Sequence, residues 1–325
     1  MSGLCFVPME SAGNPAALSV QEKVHGGLRG RKSFYFLEEG SRFMTTFQAL
    51  VIGATQGLTE LAPISSLGHG VILPALLGWG EIEKDPSYLP FMVSLHLGTT
   101  AALLLYFYRE WIIILRSLIV LPGGRQSPEL LTARKVLFLL VAGTIPAGLL
   151  GLLLEKKIRH LFSAPTLAAL FLIINGILLI AAEWMRRKGR GQGGMVLESL
   201  GLSRAFSIGI FQAVALLPGI SRSGITMVGS LWSGLDHEDA ARFSFLLSTP
   251  IIGAAGVLEI PKLLHHGSPG AIHLALVGGG MAFVMAWLTT FLLMRYFRNY
   301  ESTRALVPFG VYCLLAGTLS LYLLP

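Results

Sequence analysis

The chain has 325 residues, of which 53% are hydrophobic and only 13% are charged, and its mean hydropathy is +0.66. A soluble domain carries about 25% charged residues, so this composition excludes a soluble globular protein and indicates an integral membrane protein. The net charge of +7 does not indicate a nucleic-acid partner, because the basic residues lie in short segments between apolar runs. Two cysteines, Cys5 and Cys313, are too few and too far apart for a disulfide framework or a thiolate metal site.

Residues 1–43 differ from the remainder of the chain, because they are polar, contain glycine and are basic. They contain no apolar run long enough for a signal sequence. We therefore predict a disordered basic tail. Met44 would be a natural start, so an upstream start codon assigned in error is a second explanation of the tail. Residues 44–325 are predicted to form a single polytopic membrane domain.

Eight apolar regions follow the tail, and they are of two kinds. Two regions, 45–79 and 206–235, are interrupted by proline, glycine and serine at 62–68 and 218–224. Their arms of about 12 to 17 residues are too short to cross a hydrocarbon core of about 30 Å, which predicts re-entrant helical hairpins. The other six are long enough for transmembrane helices: 89–111, 134–154, 165–185, 240–258, 271–294 and 306–325.

The two interrupted regions align without gaps at an offset of 156 residues. The identities include polar and glycine positions: Gln56 with Gln212, Leu61 with Leu217, Ile64 with Ile220, Ser65 with Ser221, Gly68 with Gly224, and Gly78 with Gly234. This pattern favours an internal duplication, with repeat one at about 45–185 and repeat two at about 205–325. Because three spans separate the hairpins, the second copy enters from the opposite face, which predicts an inverted repeat. The fold class is therefore an all-α integral membrane protein with six transmembrane helices and two re-entrant hairpins.

Lysine and arginine are unevenly distributed between the predicted loops. Segments 109–135, 186–204 and 295–304 hold 13 of them, whereas the loops on the other face hold 5. The positive-inside rule therefore predicts that the first set is cytoplasmic. Hairpin one and the C-terminus then lie on the outer face, and hairpin two lies on the inner face.

Arg222, in the second break, is the most informative residue of the chain. An arginine at membrane depth costs about 2.5 to 3.5 kcal/mol, so it is normally retained for a partner or a ligand. One interpretation is an internal ion pair with Glu60. The other is an anion site, in which the guanidinium binds phosphate oxygens. Hydroxyl donors would surround it: Ser221, Ser223 and Thr226.

Glu60, in the first break, is either the partner of that ion pair or a general base or metal ligand. Gln56 precedes it by four residues, so both side chains point from one helix face, and Gln212 is the equivalent position in the other copy. His69 can approach Glu60 only if the chain turns at 62–68. We expect at least one of Ser65 and Ser66 to bond loop backbone. His96 is predicted to cap or pack near the cavity.

The interrupted segments also resemble the signatures of a known family. Q-G-L-T-E-L-A-P-I-S-S-L-G-H at 56–69 and L-L-P-G-I-S-R-S-G-I-T at 216–226 resemble the two signatures of undecaprenyl-diphosphate phosphatases of the BacA/UppP type. F-M-V-S-L-H-L-G-T at 91–99 and F-S-F-L-L-S-T-P at 243–250 are also similar to segments of that family. The resemblance extends from about Thr45 to Pro325. Leu67 and Met92 differ from the family, which usually has a hydroxyl residue and an acidic residue there.

The resemblance implies a multi-pass enzyme of the bacterial inner membrane that hydrolyses undecaprenyl diphosphate to undecaprenyl phosphate and phosphate, which recycles the lipid carrier of cell-wall synthesis. It implies that Glu60 is the acid/base or metal-binding residue, His69 the catalytic histidine and Arg222 the phosphate-binding residue. Ser66 would be a nucleophile or a phosphate ligand, and a divalent cation, usually magnesium or calcium, would assist. The diphosphate would be bound by the remaining polar residues of the breaks: Gln56, Ser65, Gln212, Ser221, Ser223 and Thr226.

Two alternatives remain open at this point. A transporter or flippase for a phosphate-headed lipid or another anion would use the same inverted-repeat cavity. A family member that has lost catalysis would account for Leu67 and Met92. The expected partners are the polyprenyl diphosphate substrate and the bilayer, without nucleic acid, and a homodimer is compatible with the sequence. The nucleophile stays undecided between water, Ser66 and His69.

Overall fold

A computed structural model describes residues 44–80, 82, 87–119, 127–158, 164–188, 194–266, 269–299 and 304–324. The predicted tail at 1–43 lies outside the described residues. The regular structure of these residues is helical. The β-type pairing found among them is one isolated bridge between Met195 and Leu235. The helices are α1 (Thr46–Thr59), α2 (Ser66–Leu76), α3 (Tyr88–Tyr106), α4 (Tyr108–Ile119), α5 (Pro128–Ile158), α6 (Pro165–Lys188), α7 (Leu202–Val214), α8 (Arg222–Trp232), α9 (His237–His266), α10 (Pro269–Asn299) and α11 (Val307–Leu323).

Several of these helices have the length and composition of membrane spans. Among the described residues, segments Pro128–Leu154, Pro165–Arg186 and Pro269–Asn299 meet both criteria, and α3 with α4 would be a fourth span if counted as one. Helix α11 has 17 residues, which just reaches the minimum length of a membrane-spanning helix, about 17 residues. The protein is therefore a helical, multi-pass membrane protein, as the composition predicts.

The predicted span at 89–111 extends too far. Helix α3 ends at Tyr106, and α4 turns away from it by 82°. The chain turns just before Arg109 and Glu110, which interrupt the apolar sequence. Because burying these charges in hydrocarbon is costly, the chain changes direction there, and α4 is amphipathic rather than a continuation of the span.

Two short helix pairs correspond to the predicted hairpins: α1 with α2, here called hairpin one, and α7 with α8, here called hairpin two. The breaks lie at residues 60–65 and 215–221, about three residues earlier than predicted. The reason is capping: the hydroxyls of Ser65 and Ser221 accept the backbone N–H groups of Gly68 and Gly224, at 3.2 and 3.1 Å, so each S-x-x-G segment already begins a helix.

The two ends of each hairpin lie close together. In hairpin one, the ring of Phe47 near the start of α1 packs edge-on against Trp79 beyond the end of α2, with 6.4 Å between centroids. In hairpin two, Nη1 of Arg204 near the start of α7 donates to the backbone carbonyl of Ser233 after α8, at 3.2 Å. Each helix pair therefore begins and ends in nearly the same place in the structure.

Glycines allow the hairpins to pack closely against long helices. A Cβ on Gly53 of α1 would overlap the carbonyl oxygen of Gly278 in α10, and a Cβ on Gly209 of α7 would overlap that of Gly143 in α5. Small residues at such crossings let backbones approach, which is a principal source of helix association in membranes. Gly53 and Gly209 are 156 residues apart, which is the offset that relates the two breaks.

Candidate active site

The two breaks are held against each other by their own hydroxyl groups. The Ser65 hydroxyl donates to the carbonyl of Ile220 at 3.4 Å. In return the hydroxyls of Ser221 and Ser223 donate to the carbonyl of Ala62, at 3.4 and 3.1 Å. All three serines are buried. Backbone groups that hydrocarbon could not satisfy are thereby paired across the interface between the hairpins.

Asn175 of α6 is a third connection between the breaks, and the sequence analysis missed it. Its side-chain amide donates to the carbonyl of Pro63 at 3.0 Å, and its oxygen accepts the backbone N–H of Ser221 at 3.0 Å. The one available signal was an amide residue inside the apolar span L-I-I-N-G at 172–176, since polar residues at that depth usually have a partner.

Glu60 occupies the centre of a polar cluster. Its side chain is 5% exposed, and Oε1 accepts from Nη2 of Arg222 at 2.6 Å. Its other oxygen, Oε2, accepts from the side-chain amide of Gln56 at 2.9 Å and from the hydroxyl of Ser66. The structure therefore contains the Glu60–Arg222 ion pair, one of the two interpretations of Arg222. The i, i+4 placement of Gln56 and Glu60 on one face is confirmed.

Arg222 is positioned by two features of hairpin two. It is the first residue of α8, next to the Ser221 cap, so it lies in the positive field of a helix N-terminus. Its Nη1 donates to the carbonyl of Ser248 in α9 at 3.4 Å, and its side chain is 17% exposed. A guanidinium with a single carboxylate partner and remaining N–H donors can exchange that partner for phosphate oxygens.

His69 contacts residues outside this cluster. Its Nδ1 donates to the carbonyl of Ser65 at 2.7 Å, because a carbonyl can only accept. Its Nε2 is 2.8 Å from the hydroxyl of Tyr312 in α11, and the two rings are stacked. Within the described residues, no hydrogen bond or ion pair joins His69 to Glu60. Tyr312 had no signal in the sequence, because its contact depends on how α11 packs.

His96 of α3 is the histidine that lies beside Glu60. Its Nε2 is 3.7 Å from Oε2 of Glu60, and its Nδ1 donates to the carbonyl of Met92 at 2.8 Å. Nε2 therefore faces the carboxylate and can exchange a proton with it. Sequence reasoning placed His96 near the cavity but gave it only a capping or packing role. The segment F-M-V-S-L-H-L-G-T was its only signal.

In the described part of the chain, Gln212 and Thr226 make no hydrogen bond to the Glu60 cluster. Gln212 donates to the carbonyl of Gly143 at 3.2 Å, so it belongs to the crossing of α7 with α5. Oε1 of Gln212 and the hydroxyl of Thr226 are buried and have no hydrogen-bond partner in the described part of the chain. Their predicted contacts with a diphosphate stay predictions, as do those of Ser65, Ser221 and Ser223.

The Glu60 cluster offers a divalent cation one carboxylate ligand, that of Glu60. Within the described residues, no group of three or more His, Cys, Asp or Glu side chains could hold a metal ion. Magnesium is commonly bound by one or two carboxylates together with substrate phosphates. Glu60 fits such a site if the phosphates supply the other ligands and Arg222 turns toward them.

Comparison with known proteins agrees with the two signatures. Residues 49–319 match the family model described as bacitracin resistance protein BacA. A protein from Acidiphilium cryptum named undecaprenyl-diphosphatase is 50% identical over 285 residues, which cover 87% of this chain and 99% of that protein. Undecaprenyl-diphosphatase 2 from Chromobacterium violaceum is 47% identical, with 86% and 98% covered, and an undecaprenyl-diphosphatase from Mycolicibacterium paratuberculosis is 45% identical, with 84% and 95% covered. The chain belongs to the BacA family.

Proposed function

We propose that this protein is a membrane phosphatase that hydrolyses undecaprenyl diphosphate to undecaprenyl phosphate and phosphate. One observation carries the proposal: the buried contact of Glu60 with both Arg222 and Ser66, which brings an anion-binding group, a base and a hydroxyl nucleophile together. The names of relatives at 45–50% identity support the same activity. These names favour phosphatase activity over transport of a phosphate-headed lipid. In the cell it would regenerate the carrier lipid of wall synthesis and contribute to bacitracin resistance.

For the membrane arrangement, we infer six spans and two re-entrant hairpins in an inverted repeat. The closeness of the two ends of each hairpin supports re-entrant entry. The crossings at Gly53 and Gly209 support the repeat, because each hairpin packs on a long helix of the other half. The bacterial inner membrane is the expected location. A homodimer is also kept as a prediction, to be checked by the mass of the purified protein in detergent.

The first step of the mechanism is an exchange of partners at Arg222. The diphosphate would compete with Glu60 for the guanidinium, and binding would be favoured by the N-terminus of α8. Phosphoryl transfer depends mainly on positioning and on neutralising charge on the phosphoryl oxygens. Arg222 would supply both, and the isoprenoid tail would lie against apolar spans.

The second step uses the hydroxyl that Glu60 already holds. Ser66 would attack the terminal phosphorus while its proton passes to Oε2 of Glu60. The Oγ–P bond forms, the bond from phosphorus to the bridging oxygen breaks, and undecaprenyl phosphate leaves with that oxygen. Water would then hydrolyse the phosphoserine with Glu60 as base, releasing phosphate and restoring Ser66. His96 is placed to exchange the proton with Glu60.

A divalent cation would be held by the Glu60 carboxylate and the substrate phosphates, and it would neutralise phosphate charge. Gln56 fixes the carboxylate by its hydrogen bond to Oε2. Orthophosphate release measured with and without a chelator tests this part of the proposal. Turnover that is unchanged by the chelator would remove the cation from the mechanism without affecting the roles of Arg222 and Ser66.

The deciding experiment is orthophosphate release by the purified protein from undecaprenyl diphosphate. We expect Glu60→Gln and Arg222→Ala each to lower kcat by about 10²- to 10³-fold, as expected when a base or an anion-stabilising donor is removed. Glu129→Gln and Arg295→Gln are matched controls, because both residues are exposed and lie outside the cluster. Turnover at the wild-type rate in either site variant would refute the proposed function.

A further inference from the structure

A cavity of about 1120 Å³ opens between α6, α7 and α8, on the side where the two ends of hairpin two meet. Its wall is formed largely by apolar side chains, among them Leu178, Phe211 and Val228. Trp232, which is 65% exposed, also lines it and packs edge-on against Phe211. None of the Glu60 cluster is among its lining residues, so this cavity is separate from the candidate active site.

Two arginines, Arg186 and Arg204, are the charged groups among the residues that line this cavity. Within the described part of the chain, neither guanidinium forms an ion pair with a carboxylate. The nearby carboxyl group of Asp236 accepts the backbone N–H of Asp239 at 2.7 Å, which caps α9. The cavity therefore combines an apolar wall with two guanidinium groups that form no direct ion pair with an acidic side chain of the described residues.

Arg186 is held in place by a chain of buried groups. Its Nη1 donates to Nδ1 of His237 at 3.0 Å, and Nε2 of His237 donates to Oε1 of Glu183 at 2.8 Å. Glu183 and His237 are both buried, and Oε1 of Glu183 also accepts the backbone N–H of Leu306. The arrangement orients the guanidinium through one nitrogen and leaves its other N–H donors available.

Arg204 contacts one backbone carbonyl and one uncharged side chain, since its Nη1 also lies 3.5 Å from Sδ of Met195. Its Nη1 donates to the carbonyl of Ser233, the residue that ends α8. The neighbouring wall is also fixed, because Met195 donates its N–H to the carbonyl of Gly234 at 2.8 Å and accepts the N–H of Asp236 at 3.3 Å. Both arginines therefore lie on a wall that is fixed by hydrogen bonds.

We propose that this cavity binds an anionic phospholipid, with the phosphate on Arg186 and Arg204 and an acyl chain along the apolar wall. Charge complementarity favours an anionic headgroup, since an arginine near a membrane surface contributes about 1 kcal/mol of attraction, or roughly fivefold in affinity. The exposed indole of Trp232 is typical of the headgroup level of a bilayer. This inference concerns a second site and does not depend on the phosphatase activity.

The test uses the whole protein in nanodiscs of phosphatidylcholine that contain a small fraction of brominated lipid. Bromine quenches tryptophan fluorescence at contact, and the difference between wild type and Trp232→Phe isolates the signal of Trp232. We expect brominated phosphatidylglycerol to quench Trp232 at lower mole fractions than brominated phosphatidylcholine. R204Q and R186Q should each reduce that preference roughly fivefold, and the double variant roughly 25-fold.

Arg295→Gln is the matched control, because Arg295 is an exposed arginine at the end of α10 and does not line the cavity. It should leave the preference unchanged. Arg204 is exposed, so R204Q should fold normally even if R186Q, which alters a buried chain, does not. Equal quenching by the two lipids, an unchanged preference in R204Q, or displacement of the brominated lipid by millimolar inorganic phosphate would each overturn the proposal.

Discussion

At the scale of single residues, Ser65 and Ser66 are adjacent in the sequence but have different surroundings. Ser66 donates to the Glu60 carboxylate, whereas the Ser65 hydroxyl accepts the N–H of Gly68 and donates across the hairpin interface. We expect Ser66→Ala to lower kcat by at least about 10²-fold with little change in the melting temperature, because it removes the nucleophile. Orthophosphate release and acid-trapped phosphoenzyme measure this. Wild-type turnover in Ser66→Ala would exclude Ser66 as the nucleophile.

Ser65 should affect the stability of the fold, because its hydroxyl caps α2. Its φ is 68°, a left-handed conformation that is unfavourable for residues with a Cβ. Ser65→Ala loses the cap and keeps this strain, so we expect it to destabilise the protein by about 1 kcal/mol or more. Ser65→Gly loses the same cap but tolerates the conformation, and it should melt at a higher temperature than Ser65→Ala. The reverse order would contradict a capping role in a strained backbone.

His69 and His96 have different neighbours, which separates their expected effects. Because Nε2 of His96 faces Glu60 and His69 contacts Ser65 and Tyr312, we expect His96→Gln to lower kcat by about 10²-fold, more than His69→Gln. Orthophosphate release by the two purified variants measures this, and a larger loss of kcat in His69→Gln than in His96→Gln would return the catalytic role to His69.

The residues that were predicted and those that were missed differ in what determines their contacts. Local spacing was enough to place Gln56 beside Glu60, because i, i+4 neighbours share a helix face. The charge of Arg222 at membrane depth was enough to require a partner or a ligand. The roles of His96 and Asn175 depend on how α3 and α6 pack against the breaks, and no local pattern determines that packing.

At the scale of elements, composition identified the two interrupted hairpins but placed their breaks too late. Proline, glycine and serine together indicated a non-helical segment. However, the serine and glycine of each S-x-x-G segment form the cap of the next helix, so only the residues before them are non-helical. The end of α3 was missed for a similar reason, because the apolar run continues past the turn that Arg109 and Glu110 impose.

The crossings of the hairpins with the long helices depend on single glycines. Gly53→Ala would place a Cβ against the carbonyl of Gly278, and we expect it to lower the free energy of unfolding by about 1 to 3 kcal/mol. Gly280→Ala in the same crossing helix is the control, since a Cβ there has no atom within 4 Å. Thermal melting in detergent measures both variants. Equal melting temperatures would show that α1 and α10 do not approach as closely as described.

At the scale of the whole molecule, contacts between helix ends bring several segments together on one face of the described structure. The start of α5, the turn at 197–199 and the start of α9 meet on one face, where Lys135 donates to the carbonyl of Glu198 and Arg242 pairs with Glu198. Hairpin two also opens on this side, since Arg204 contacts Ser233. The length and apolar content of a segment do not determine which helix ends meet, so these contacts could not be predicted from the sequence.

The predicted inverted repeat can be tested directly by measuring which side of the membrane each hairpin faces. In a variant with Cys5 and Cys313 replaced by serine, we expect Gly80→Cys, beyond hairpin one, to react with a membrane-impermeant maleimide in intact cells. Ser203→Cys, at the start of hairpin two, should react only after permeabilisation, because the positive-inside rule predicts a cytoplasmic location for the basic segment at 186–204. Both positions are exposed in the structure. Labelling of both cysteines from the same side would mean that the hairpins enter from one face, and the two breaks would then need a different arrangement to meet at Glu60 and Arg222.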